Sequence, residues 1–162
     1  MRRGGHVIGI CGGYQMLGKT IADPMGLEGV SGTYQGLDLL DVETTMSPEK
    51  HLTHTSAIHL ESNETVEGYE IHIGDTTGDD CSNAWLTIDG KPTGAASKSG
   101  KVKGCYLHGL FASDGFRTSF INSIAKVDSG LNYEASIDDT LDSLARHLET
   151  HLDLDAILEI AR

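Results

Sequence analysis

The chain has 162 residues, 38% of them hydrophobic, with 20 glycines and 24 acidic against 12 basic residues, a formal charge of −12. That length suffices for one domain with a real core, and the glycine content favours an α/β or α+β fold over a helical bundle. The acidic balance argues against nucleic acid or an anionic membrane as partner, and no apolar run approaches the roughly 20 residues of a membrane helix.

Residues 7–10, Val-Ile-Gly-Ile, predict a short buried strand. After Cys11, Gly12 and Gly13, the spacing of Tyr14, Leu17, Gly18 and Ile21 predicts a helix. Strand, tight turn and helix make the layout of a nucleophile elbow, and Gly9-Ile10-Cys11-Gly12-Gly13 has its G-x-nucleophile-x-G form with sulfur in place of oxygen. Such a nucleophile takes a strained backbone conformation, and side chains at positions 9 and 13 are expected to collide with neighbouring backbone. A thiol at a helix N-terminus is favoured as thiolate, and the Gly12 N–H points where an oxyanion would develop. The competing reading of Cys11 is a small buried residue at a strand end.

Asp23-Pro24 is expected to stop the helix. Residues 25–36 read as a glycine-rich loop near the site, and 37–46 as the start of a β region closed by a Ser47-Pro48-Glu49 turn. Residues 51–60 and 66–73 predict two antiparallel strands. Within the second, alternation puts Tyr69, Ile71 and Ile73 on one face and Glu70 and His72 on the other. Glu70 and His72 then form either a polar edge of a pocket or an ordinary solvated strand face. Residues 84–88, 93–97 and 102–107 read as short strands, with Asp89-Gly90 as a hairpin turn. A helix is predicted over 114–127. A second begins at a Ser136 cap with Ile137, Leu141, Leu144, Ala145 and Leu148 as its buried stripe, extended or repeated over 152–160.

Acyl transfer by a thiolate needs a base, and eight histidines compete for the role. His108 is best placed, ending an apolar run and preceding Gly109 where α/β folds gather catalytic groups. His51 with His54, and His147 with His151, could be written as metal pairs. No Cys or carboxylate cluster at zinc spacing accompanies them, so solvated surface is the simpler account and no metal site is assigned. Cys81 and Cys105 read as packing or surface thiols. Three cysteines without a pairing pattern, and no signal peptide, favour a reducing, cytoplasmic setting. No G-x-x-x-x-G-K-S/T phosphate loop is present.

Three stretches together resemble the class I glutamine amidotransferases: Gly9 to Gly18, Gly68-Tyr69-Glu70-Ile71-His72-Ile73-Gly74, and Tyr106-Leu107-His108-Gly109-Leu110-Phe111. Their wording is most similar to the CobB/CobQ-type branch, which includes cobyric acid synthase. The resemblance implies a flavodoxin-like three-layer α/β sandwich, here one domain over 1–162 lacking its N-terminal part, which in the family supplies further strands and an oxyanion loop. It implies Cys11 as nucleophile, His108 as its base, and Gly12 and Gln15 as binding groups for glutamine. Many class I members carry a Glu two residues after the histidine; here Leu110 stands there, so the catalytic unit is a dyad.

The resemblance further implies that ammonia passes to a synthetase domain absent from this chain. There ATP and Mg would activate carboxylates of a corrinoid, cobyrinic acid a,c-diamide, in cobalamin biosynthesis. Three other readings stay open at this point: a related peptidoglycan-precursor amidase, a cysteine hydrolase with no need of Gln15, and a non-catalytic binding fragment. Loss of neighbouring strands would expose sheet edges and invite homo-oligomers.

Overall fold

A computed structural model describes residues 4–125 and 132–161. The β-branched opening forms β1 (Val7–Ile10), and the chain turns at Cys11 into α1 (Gly12–Leu17). The predicted helix is shorter than its apolar spacing suggests. Ile21 belongs instead to β2 (Thr20–Asp23), which pairs antiparallel with β3 (Gly32–Gln35) and parallel with β4 (Glu43–His59). Close packing at Gly18, where a Cβ would meet the Val42 carbonyl at 2.6 Å, fits the helix ending there.

The expected turn at Ser47-Pro48-Glu49 is not a turn. β4 runs through it, pairing antiparallel along β5 (Thr65–Thr77), and the register shifts between Thr45 and Lys50. Thr45 faces Asp75 and Lys50 faces Ile73, so residues 46–49 bulge opposite Gly74. A bulge is where a strand tolerates a proline that cannot donate to the ladder. The two strands are antiparallel as predicted, with Ile58 opposite Thr65 at the turn that joins them.

A 3₁₀ turn (Asp79–Ser82) leads to the hairpin β6 (Leu86–Ile88) and β7 (Lys91–Thr93), joined at Asp89-Gly90 as expected. Then follow β8 (Ala95–Ala96), β9 (Val102–Cys105), β10 (Leu107–His108) and α2 (Asp114–Ile124). The last predicted residues of α2 lie outside the described ones.

These strands make two sheets. The first has the order β1-β9-β8, with β1 parallel to β9. The second has the order β10-β5-β4-β2-β3, with β6 and β7 attached to β4. The chain changes sheets at Tyr106, between β9 and β10. That switch brings the C-terminal end of β1 against the middle of β5.

One buried cluster gathers Val66, Trp85, Leu86, Leu107, Leu110 and Phe116; another gathers Tyr14, Leu17, Leu40, Val42 and Val102. The mixed α/β class expected from the sequence is what the chain adopts.

The chain divides into two compact units, Met1–Asp128 and Ser129–Arg162. The second contains α3 (Tyr133–His151) and α4 (Leu154–Ile160). Asn132, not Ser136, caps α3: its side chain accepts the Ala135 N–H at 2.9 Å. The predicted stripe does share one helix, but Ile137, Leu141, Leu144 and Leu148 are all exposed, Leu141 by 56%. Periodicity reports which residues share a face, not whether anything covers it.

Candidate active site

Cys11 has φ 55° and ψ −122° at the junction of β1 and α1. This is not a region where non-glycine residues rest without support from their surroundings. The support is visible. The Cys11 N–H donates to the Cys105 carbonyl at 2.9 Å, and the Tyr14 N–H closes the first turn on the Cys11 carbonyl at 2.9 Å. Gly9 is required by close approach: a Cβ there would lie 2.6 Å from the Gly13 carbonyl and from a Leu17 methyl. The matching expectation at Gly13 does not hold, since a Cβ there meets nothing within 4 Å.

The half-buried Cys11 thiol donates to the Ile71 carbonyl on β5 at 3.3 Å. A cavity of about 340 Å³ opens beside it, lined by Cys11, Gly12, Gln15, Glu28, Met46, Lys50 and residues 71–73. A second cavity of about 290 Å³ shares Gly12, Gln15, Glu28 and Met46 with it. A larger cavity, about 660 Å³, lies away from the thiol around Trp85, Lys98 and Lys103.

Gln15 is buried, and its amide nitrogen donates to the Ile73 carbonyl at 3.0 Å and to the Tyr106 hydroxyl at 3.3 Å. Both N–H groups are thus committed, and the carbonyl oxygen is the end left to meet a ligand. Tyr106 in turn shares a 2.5 Å hydrogen bond with the Thr76 hydroxyl, which shares another with Thr44 at 2.7 Å. Burial pushes the Tyr106 hydroxyl above its ordinary pKa, with Thr76 and Gln15 acting the other way. Tyr14, edge-on to Tyr106 at 5.2 Å, is raised by burial and by the neighbouring Cys81. Both phenols therefore stay neutral hydrogen-bonding groups.

His72 lines the same cavity, stacks on Tyr106 at 3.7 Å and donates from Nδ1 to the Gly74 carbonyl at 3.2 Å. Glu70 lies opposite Leu107 and is not among the cavity's lining residues; its charge helps to raise the Cys105 thiol. The two candidates from this strand thus part company.

His108 pairs with Tyr69 across β10 and β5, two residues along β5 from the carbonyl that holds Cys11, about 7 Å of strand. Its imidazole lies parallel to the Tyr69 ring, centroids 4.8 Å apart and planes within 3°. Gly68 lets the strands approach this closely, since a Cβ there would lie 2.0 Å from the His108 carbonyl oxygen. His108 Nε2 is buried with no hydrogen-bond partner among the described residues. The structure thus sets Cys11 and His108 against the same stretch of β5, without a hydrogen bond between them among the described contacts. Leu110, two residues after His108, is 1% exposed and packs in the core.

Sequence reasoning missed Tyr106, Lys50, Met46 and Glu28. Tyr106 stood inside a quoted motif, but its hydroxyl function depends on the sheet switch. Lys50 was hidden by the turn reading of 47–49. Among the described residues, no group of three His, Cys, Asp or Glu side chains gathers as a metal site. His147 and His151 stack on α3 at 4.2 Å, and the His51 side chain lies outside the described residues.

The profile of the CobB/CobQ-like glutamine amidotransferase domain matches residues 1–116. The chain belongs to that family. It is 55% identical over 161 residues to a cobyric acid synthase of Cereibacter sphaeroides, covering 99% of this chain and 34% of the relative. A cobyric acid synthase of Rhodobacter capsulatus is 54% identical over 162 residues, with 100% and 34% covered. One from Bradyrhizobium diazoefficiens is 49% identical over 161 residues, with 99% and 33% covered. The chain therefore spans about a third of the length of these relatives. A crystal structure of a glutamine amidotransferase aligns with TM-score 0.47 and 13% identity, over 75% of this chain and 61% of that one. No helix of the described residues is long and apolar enough to cross a membrane.

Proposed function

We propose that this chain is the glutaminase part of a glutamine-hydrolysing amide synthase. The Cys11 thiolate attacks the side-chain amide carbon of glutamine, and the Gly12 N–H stabilises the oxyanion. His108 carries the proton to departing ammonia, then activates water to hydrolyse the γ-glutamyl thioester. Gln15, held by its amide nitrogen, offers its carbonyl oxygen to the substrate. His72 forms part of the pocket wall, and Glu70 is assigned no contact with substrate.

The observation that carries this reading is the backbone of Cys11, at φ 55° and ψ −122° beside a cavity, with His108 against the same strand. A cysteine that only filled core space would not need such a conformation. The names of the relatives extend the proposal. Ammonia passes to a synthetase part, where ATP and Mg²⁺ activate carboxylates of cobyrinic acid a,c-diamide, and both parts work in the cytoplasm.

Glutamine-dependent ammonia release that disappears in Cys11→Ala and in His108→Ala is the expected result. Full release by Cys11→Ala, or peptide cleavage with no glutamine turnover, would contradict the proposal.

A further inference from the structure

Two side chains in the Cys11 cavity carry full and opposite charges. Lys50 and Glu28 both line it, both are exposed, and among the described residues neither takes part in an ion pair, with the other or with a third group. In a chain with twice as many acidic as basic residues, an unpaired lysine beside a nucleophile is a specific placement.

Each charge is set there by its own device. Lys50 stands at the end of the β4 bulge, opposite Ile73, whose carbonyl anchors Gln15. Bulges re-aim side chains beside active sites, and this one brings both Met46 and Lys50 to the cavity. Glu28 is placed from the other side. The carboxylate of Asp23, 3% exposed at the end of β2, accepts the backbone N–H groups of Leu27 at 2.9 Å and of Glu28 at 3.0 Å. That ties the backbone at Leu27 and Glu28 to the end of β2, and Glu28 lines the cavity from there.

We propose that Lys50 and Glu28 read the α-carboxylate and the α-ammonium of a free amino acid whose side-chain amide lies at Cys11. This rests on the glutaminase reading above and deepens it, since it selects free glutamine over any amide lacking one of the head-group charges. A lone lysine would recognise many anions. Two opposite charges on separate elements match a ligand that carries both on one carbon.

The test uses the full-length natural protein and three amides: L-glutamine, 4-aminobutanamide, which lacks the α-carboxylate, and 4-carbamoylbutanoate, which lacks the α-amine. Lys50→Met is expected to raise the KM for L-glutamine about tenfold or more with kcat little changed, the pattern of lost uniform binding. It should also shrink the preference for L-glutamine over 4-aminobutanamide by a similar factor, and leave the preference over 4-carbamoylbutanoate intact. Glu28→Gln should do the reverse. Labelling of Cys11 by iodoacetamide in both variants checks that the site is folded. If the wild type hydrolyses L-glutamine but both variants keep its KM and both preferences, this inference fails and the glutaminase reading stands. If the wild type neither hydrolyses L-glutamine nor is alkylated at Cys11 by a glutamine-like electrophile, both fail.

Discussion

Cys11 and His108 are held in unusual arrangements by close neighbours, among them Gly9 and Tyr69. Gly9 leaves room for the turn after Cys11, so Gly9→Ala must push apart the Gly13 carbonyl and Leu17. We expect a loss of about 1–3 kcal/mol, read by urea unfolding, as for other overpacked sites. A fall well below that range would mean that the elbow relaxes more easily than its contacts suggest. For His108, with Leu110 buried two residues on, the parallel Tyr69 ring is the described group that fixes the plane of the imidazole. Tyr69→Ala should lower kcat for glutamine hydrolysis about tenfold or more and alter its pH profile, while Tyr69→Phe keeps the stack and both properties. Equal losses in both variants would remove stacking from the account. Cys11 and His108 were legible as candidates because glycines and a strand-end histidine leave marks in sequence. Tyr69 was legible only as a strand residue, because the ring it faces belongs to β10, nearly 40 residues later.

Elements show where local pattern yields to long-range pairing. The spacing of Tyr14, Leu17, Gly18 and Ile21 is helical, yet Ile21 serves β2, which both β3 and β4 flank. Ser47-Pro48-Glu49 has turn chemistry, yet it is spent on a bulge inside β4. Neither outcome is encoded in a short window, since Ile21 pairs with Tyr34 and Thr44, and the bulge is set against Ile73 and Asp75. The 24–31 loop, in contrast, depends on one local carboxylate. The N–H groups of Glu28 and Leu27 hold Asp23 below the usual carboxylate range, against the opposing effect of burial. A depressed carboxylate contributes stability above its unfolded pKa of about 3.9, and that contribution is lost as pH falls through the folded value. The protection of the Leu27 and Glu28 amides, taken as exchange relative to the intrinsic rate at each pH, should therefore fall as the solution is acidified below about pH 4. Asp23→Asn should exchange faster already at neutral pH and lose that acid dependence. Slow exchange in Asp23→Asn would show that the loop is held by other means.

At the scale of the whole molecule, the two sheets meet where β9 passes into β10, and the same junction that seats Cys11 leads into the core of Leu107, Trp85 and Phe116. His59 lies in that core, 3% exposed, edge-on to Phe116 at 5.0 Å, with its Nδ1 on the Ser62 hydroxyl at 2.7 Å. Burial, and then the Lys103 charge, lower its pKa. It is neutral in the fold, so its contribution is complete above the unfolded histidine value of about 6.5 and is lost as pH falls below it. Unfolding midpoints should drop between pH 7 and pH 5, and His59→Gln should flatten that limb; an unchanged slope would assign it to other groups. The fold class was readable from glycine punctuation and strand spacing. The exposure of the α3 stripe was not, because no pattern within a helix says what lies against it.

The central claim is that Cys11 is a nucleophile shaped for glutamine, and labelling with a glutamine-like electrophile followed by peptide mass spectrometry tests it most directly. Cys105 supplies an internal control, since it is 1% exposed and burial pushes its thiol up to about 12. The account predicts one label per chain, on Cys11, prevented by excess L-glutamine, even where the 162-residue chain alone turns over little substrate. Label on Cys81 or Cys105 instead, or labelling of Cys11 that L-glutamine does not slow, would contradict it.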